Sequence, residues 1–384
     1  MARPSSPKAP SDAPLSRFRA PLARWFRRER RDLPFRRTRD PWAIWLSETV
    51  LQQTTVAAGA PRFERLLARF PTVAALASAA EREVLAEWSG LGYYARARNL
   101  HRAARAVAAS GGEIPRTVEG LRELPGVGPY TAAAVASLAF GVPVPVVDGN
   151  VVRVLARLEA IPGDARSGRS RAAVEAAAHA FLDPRRPGEH NEALMELGAL
   201  VCLPRSPRCA DCPLARRCRA RALGRPGAFP APRPGPAAVR VRLAAGVARR
   251  GGRLVLVPDA WLVPGHLVVP LVAVAGEADA RDALRAAWPR LSGRIASRLV
   301  PRGAVRHAVL ERRYAVEVFR VVEGPPARRR LAAPPVRLVP AARLASEPRG
   351  GLLAKVLALS APPRTPSAPE RGRRGRPPRR PSGG

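Results

Sequence analysis

The chain has 384 residues, 46% of them hydrophobic, and a formal charge of +36 from 66 basic and 30 acidic side chains. That length suits two domains with sizeable cores, and the charge points to a polyanionic partner. The opening MARPSSPKAPSDAPLSRFRA holds no apolar core of signal-peptide length, and the longest apolar run, Ala132 to Val147, is broken by Ser137, Gly141 and two prolines. It falls short of the roughly 18 apolar residues a membrane span needs, so a soluble, cytoplasmic protein with no membrane partner is expected.

In chain order, residues 1–16 are Pro/Ser-rich and read as disordered. Residues 17–222 read as helical, with three- and four-residue apolar spacing over Ala43–Ala58, Pro61–Phe70, Glu81–Trp88, Ala95–Ala109, Thr131–Phe140 and Arg171–Phe181. Turn signals at Arg39-Asp40-Pro41, Gly111-Gly112, Pro125-Gly126 and Pro184 to Gly188 separate them. Residues 223–238 form a Pro/Gly-rich linker. Beyond it, residues 239–360 change character: Val239–Ala248, Arg253–Val257, Leu267–Val274 and Tyr314–Val322 suit strands, and Arg281–Trp288 suits a helix. Residues 361–384 read as a disordered basic tail. The expected fold is therefore mainly α, followed by a smaller α+β domain.

All four cysteines fall in C-x6-C-x2-C-x5-C, at Cys202, Cys209, Cys212 and Cys218. In a reducing compartment such clustering points to a metal rather than to disulfides. Structural zinc sites pair cysteines two to four apart at both ends; here only Cys209 and Cys212 are so paired. The wider gaps suit one loop wrapped round a [4Fe–4S] cluster, with zinc or unliganded thiols as the alternatives. Arg205, Arg208, Arg216, Arg217 and Arg219 lie between and beside these cysteines, where they would present cations to phosphate.

Leu124-Pro-Gly-Val-Gly-Pro-Tyr-Thr131 sets glycines where a backbone must turn tightly, with Thr131 placed to cap the following helix. The N–H groups around Gly126 and Gly128 could hold a phosphate there, although many helix hairpins need glycine for the turn alone. A short Pro-broken run then delivers one acid, Asp148, with Gly149 and Asn150 beside it to donate hydrogen bonds that keep it charged. A second acid, Glu48, sits among Trp45, Leu46, Val50 and Leu51, where desolvation raises a carboxyl pKa.

LPGVGPYT, VDGN at Val147–Asn150 and the cysteine spacing together resemble the helix-hairpin-helix DNA glycosylase superfamily, in the cluster-bearing branch of endonuclease III and the MutY-type adenine DNA glycosylases. WLSETVLQQT (Trp45–Thr54) and WSGLGYYARARNLHRAA (Trp88–Ala104) are similar specifically to the adenine glycosylases, and the resemblance runs from about Arg31 to Cys218. It implies a two-lobed glycosylase fold with a [4Fe–4S] loop, acting as a monomer in base excision repair on double-stranded DNA that carries adenine opposite 8-oxoguanine or guanine. Bifunctional enzymes of the endonuclease III type place a nucleophilic lysine two residues after the second hairpin glycine. Here that residue is Tyr130, and the chain has lysine only at Lys8 and Lys355, so the catalytic domain holds no Schiff-base nucleophile. A bifunctional glycosylase/lyase and a catalytically silent cluster-bearing DNA-binding protein are the rival readings.

The resemblance assigns Glu48 as general acid toward the adenine ring and Asp148 as the anion beside the oxocarbenium sugar, with Tyr130 bonding near Asp148. It makes Gln53 and Tyr93 the residues that wedge into the base stack, and Arg31, Arg36 and Glu192 contacts to the extruded adenine. YARARNL is expected to be a basic helical face whose arginines touch the DNA backbone. Phe35 stands where the family has Trp before Arg36.

Residues from about Val239 to Ser360 resemble the Nudix-like C-terminal domain that in this family reads 8-oxoguanine, and Trp261–Pro270 is a degraded form of one of its segments. The chain has no Nudix box. The family's Phe-Ser-His lesion element falls at Val305-Arg306-His307, where only His307 matches, which puts lesion discrimination in doubt. In the tail, Arg374-Gly375-Arg376-Pro377 resembles a minor-groove AT-hook.

Overall fold

The computed structural model describes residues 14–165, 167–231, 237–259, 266–309, 311–327, 335–347 and 350–360. Most of the segment before Leu15, Trp261–Pro264 and the RGRP tail lie outside the described residues.

The helices of the first lobe are α2 (Pro41–Leu51), α3 (Val56–Arg69), α4 (Val73–Ser78), α5 (Glu81–Glu87), α6 (Ala95–Ala109), α7 (Val118–Arg122) and α8 (Pro129–Phe140); the second lobe joins α1 (Arg19–Glu29) to α9 (Gly149–Glu159), α10 (Gly168–Phe181), α11 (Pro187–Leu200) and the short α12 (Arg219–Ala222). Each lobe has its own core. Trp42, Trp45, Phe63 and Trp88 centre the first, while Leu22, Phe26, Leu155 and Phe181 centre the second. Helix α8 runs through the junction. Every residue from Thr131 to Leu138 is buried, and its alanines let α2 and α11 approach closely without loss of side-chain entropy. No helix among the described residues is long and apolar enough to cross a membrane.

The continuous helix expected over Ala43–Ala58 is instead two. It breaks at Gln52–Thr55, where Gln53 takes φ of 54°, and the Thr55 side chain accepts from Ala58 N–H to start α3. Thr131 does not cap α8: Gly128 occupies the cap position with no side-chain bond, and the Thr131 hydroxyl accepts from Gln52 Nε2 at 3.1 Å.

The C-terminal part is α+β. One sheet orders β5 (Leu271–Ala273), β1 (Val239–Val247), β7 (Arg312–Pro326) and β6 (Arg294–Val309), with β1 and β7 parallel. The other joins β2 (Arg249–Arg250), β3 (Arg253–Pro258), β4 (Leu267–Val268) and β8 (Arg337–Val339). Helix α13 (Ala280–Ser292) packs through Trp288 over Gly246, where an added Cβ would come within 2.1 Å of the indole. Helix α14 (Gly351–Ser360) packs through Leu352, Leu353 and Val356 into the core that holds Leu256 and Val316.

Candidate active site

The two acids reach one another from opposite lobes. Glu48 lies two-thirds of the way along α2, in a helix buried along almost its whole length. Asp148 is the N-cap of α9, where its carboxylate accepts from Val151 N–H at 2.7 Å and from Asn150 Nδ2 at 2.9 Å. A cavity of about 200 Å³ is lined by both acids together with Arg31, Arg36, Tyr130, Asn150 and Glu192. A second, of about 490 Å³, opens onto Glu48, Tyr130 and Asp148 from the side of Gln53 and Gly149.

Burial pushes Glu48 up to about 7, assisted by the nearby charges of Asp148 and Glu192 and opposed by the Tyr130 hydroxyl, which donates to Oε2 at 2.6 Å. Tyr130 thus bonds to Glu48 rather than to Asp148. Its own pKa is driven well above the usual value by burial and by Glu48, which keeps it a donor. Burial also raises Asp148, but its hydrogen bonds from Val151 and Asn150 and the Arg153 charge act the other way. One cavity therefore holds a carboxyl poised to carry a proton near neutrality and a second whose bonds favour its ionised form.

Arg31 and Arg36 converge on an acid that no motif in the sequence singles out. Glu196 is buried on α11, one turn after Glu192; Arg31 Nη2 and Arg36 Nη2 lie 2.6 and 2.9 Å from its Oε2. Burial alone would raise Glu196, but these two guanidinium groups hold it at about 2. Arg36 Nε also stands 3.6 Å from Glu192. The signal available in the sequence was a pair of acids four apart in the otherwise apolar EALMELGAL, Glu192 to Leu200. Phe35 lines the same cavity and stacks edge-on against Phe63 at 5.9 Å.

Gly126 takes φ of +78°, and a Cβ there would lie 2.5 Å from Asn99 Cβ, so the hairpin turn requires glycine. Gly128 is the N-cap of α8 and supplies no side-chain bond, so the first N–H groups of that helix are left for another acceptor. Gln53 and Tyr93 are exposed, each with positive φ, and lie outside the smaller cavity. Tyr93 shares a third cavity, of about 410 Å³, with His307 and the start of α14, at the junction of the two domains. Burial lowers the pKa of His307, which lies on β6, and Lys355 acts the same way.

Two arginines fasten the acid site to the cysteine loop. Arg153 donates to Asn150 Oδ1 at 2.8 Å, to Gly198 O at 2.8 Å and to Cys202 O at 2.7 Å. Arg157, buried, donates to Cys202 Sγ at 3.3 Å and to the carbonyls of Leu203, Pro204 and Phe229. Cys202, Cys209, Cys212 and Cys218 form no disulfide, and no group of three or more His, Cys, Asp or Glu side chains closes into a metal cage among the described residues. Burial pushes Cys212 up to about 12, and Cys202, Cys218 and Cys209 push it the same way. Burial and neighbouring thiols raise Cys209 and Cys218 as well, and such a cluster suits a centre that would take its members as thiolates. Of the arginines around them, Arg217 and Arg219 pair with Glu159, whereas Arg205 and Arg216 are exposed.

The HhH-GPD superfamily base excision DNA repair protein family matches residues 46–179. The adenine DNA glycosylase of Homo sapiens is 47% identical over 219 residues, 54% of this chain and 40% of that protein. That of Mycolicibacterium smegmatis is 43% identical over 231 residues, 60% of this chain and 75% of that one. Among solved structures, a thermostable thymine-DNA glycosylase is 29% identical with a TM-score of 0.49, covering 53% of this chain and 95% of that one. The chain thus spans less than half the length of its human relative but most of its mycobacterial one. By that similarity it belongs to the adenine DNA glycosylase family of the HhH-GPD superfamily.

Proposed function

We propose that the chain is a monofunctional adenine DNA glycosylase that hydrolyses the N-glycosidic bond of adenine facing 8-oxoguanine or guanine in duplex DNA. The observation that carries this is the shared cavity of Glu48 and Asp148, with Tyr130 bonded to the first. An adenine anion leaves poorly, so a proton must reach the ring; a carboxyl at about 7 can supply it at neutral pH. As the bond breaks, the sugar gains positive charge at C1′, and an ionised Asp148 stabilises it. Asn150 and Val151 N–H aim that carboxylate, and Arg153 aims Asn150.

The pocket supports a purine. Glu196 holds Arg31 and Arg36 in place, and Glu192 offers an acceptor for an exocyclic amino group. The uncapped start of α8 behind the Gly126 turn suits a backbone phosphate. Gln53 and Tyr93, both exposed and strained, suit insertion where the base leaves the stack. In the third cavity, Tyr93 and His307 would face the base opposite the adenine.

We assign Cys202, Cys209, Cys212 and Cys218 as the ligands of a [4Fe–4S] cluster, which would act as a structural clamp on the loop. Arg157 would orient Cys202, and Arg205 and Arg216 would meet DNA phosphate. Iron and acid-labile sulfide analysis of the purified chain tests that assignment. The activity is tested by single-turnover excision on duplexes that differ only in the base facing adenine. The expected order is 8-oxoguanine, then guanine, then cytosine, with no adduct trapped by borohydride. Equal rates on all three, or a trapped adduct, would overturn it.

A further inference from the structure

Arg96, in the first turn of α6, does not join a DNA-facing surface, contrary to the expectation from YARARNL. It points inward and is half-buried. Nη1 donates to the carbonyls of Thr49 at 2.8 Å, Val50 at 3.1 Å and Gln52 at 2.5 Å. Nη2 donates to Leu91 O at 3.3 Å and to Gly92 O at 3.5 Å. Its guanidinium carbon lies 5.4 Å from the ring centres of both Trp88 and Tyr93. Among the described residues it forms no ion pair with a carboxylate; burial lowers its pKa, and the Tyr93 phenol acts the other way.

The carbonyls that hold it identify its task. Thr49, Val50 and Gln52 close the C-terminal end of α2, where carbonyls lack intrahelical partners and a cation is favoured. Leu91 and Gly92 belong to the turn before α6. The residue following the last held carbonyl is strained on each side: Gln53 at φ 54° and Tyr93 at φ 48°. Those are two of the three non-glycine residues with positive φ among the described residues. Such conformations persist only where the surroundings enforce them. One guanidinium fork therefore joins two strained turns, one of which ends the helix that carries Glu48.

We propose that Arg96 is a positioning residue that locks the Gln53 turn and the Tyr93 turn to each other and to the end of α2. The two exposed side chains then enter a duplex as one rigid wedge, and extrusion of the base brings it into register with Glu48. A lysine, with one nitrogen, cannot fork between both turns. This rests on the adenine-glycosylase reading only for the identity of the extruded base.

The test uses the full chain with Arg96→Met and Arg96→Lys, and two readouts. The first is fluorescence of 2-aminopurine placed in the adenine position opposite 8-oxoguanine, which brightens on unstacking and needs no hydrolysis. The second is the single-turnover rate constant on adenine opposite 8-oxoguanine and on adenine opposite an abasic site, where no pair must be opened. Arg96→Met is expected to lose the brightening and to slow excision about 10²-fold on the paired duplex, with a much smaller loss opposite the abasic site; Arg96→Lys falls between. Should thermal melting show Arg96→Met poorly folded, Arg96→Lys carries the same comparison. Equal losses on both duplexes, or brightening as strong as in the wild type, would overturn the proposal. A wild type that brightens the probe but excises no adenine, with the brightening lost in Arg96→Met, upholds the lock and overturns the glycosylase reading instead.

Discussion

At the scale of single residues, the proposed chemistry turns on the surroundings of Glu48. Its folded pKa, about 7, lies above the value of an exposed glutamate, 4.5. Its contribution to stability is therefore fully present at acid pH and is lost as pH rises through about 7. Glu48→Gln removes that liability. It is expected to be more stable than the wild type by about 3 kcal/mol near pH 8, with the difference largely gone near pH 5, as read from denaturant midpoints. The same variant should lose about 10²–10⁴-fold in single-turnover excision. A variant that gains stability while losing rate is the signature of a residue kept for chemistry. Tyr130 gives a finer test. Its hydroxyl stabilises the ionised form of Glu48, so Tyr130→Phe should move the alkaline limb of the rate profile to higher pH; a move to lower pH would contradict the bond.

At the scale of elements, the register between helices sets the second acid. Gly198 on α11 backs onto the start of α9, where a Cβ would lie 2.5 Å from Asn150 Cβ and 3.1 Å from its Cα. Gly198→Ala must push Asn150 aside. A loss of about 1–3 kcal/mol is expected, together with slower excision, because Asn150 aims Asp148; thermal melting and single-turnover rates check both. The motifs singled out Glu48, Asp148, Tyr130 and the four cysteines, and the fold brings the first three to one cavity. What stayed hidden was how the side chains pair. Glu196, which no motif marks, meets Arg31 and Arg36 only once α11 brings it to them. Arg96 looked like one more cation in a basic stretch. The break between α2 and α3 is a matter of one backbone angle at Gln53, which apolar periodicity does not register. Strand β6 escaped notice for another reason. As the sheet edge it buries few side chains, and Pro301 and Gly303 interrupt it at a register shift.

At the scale of the whole molecule, the two lobes divide the labour. Each core fixes one acid, and α8 holds the lobes at the spacing that lets both line one cavity. Under the proposed function, the charge of +36 should make affinity for DNA fall steeply with salt. Residues 361–384 carry seven arginines. If they meet phosphate, deleting them should flatten the slope of log affinity against log salt by about 0.9 for each phosphate that they neutralise. An unchanged slope would remove the tail from the binding surface.

The most direct test is the pH dependence of single-turnover adenine excision on a duplex with adenine facing 8-oxoguanine. A proton on Glu48 and a negative charge on Asp148 require a rate that falls as pH rises through about 7 and falls again in acid, with the alkaline limb abolished in Glu48→Gln. A rate constant that stays flat through neutrality, with Glu48→Gln as fast as the wild type, would contradict that division of charge.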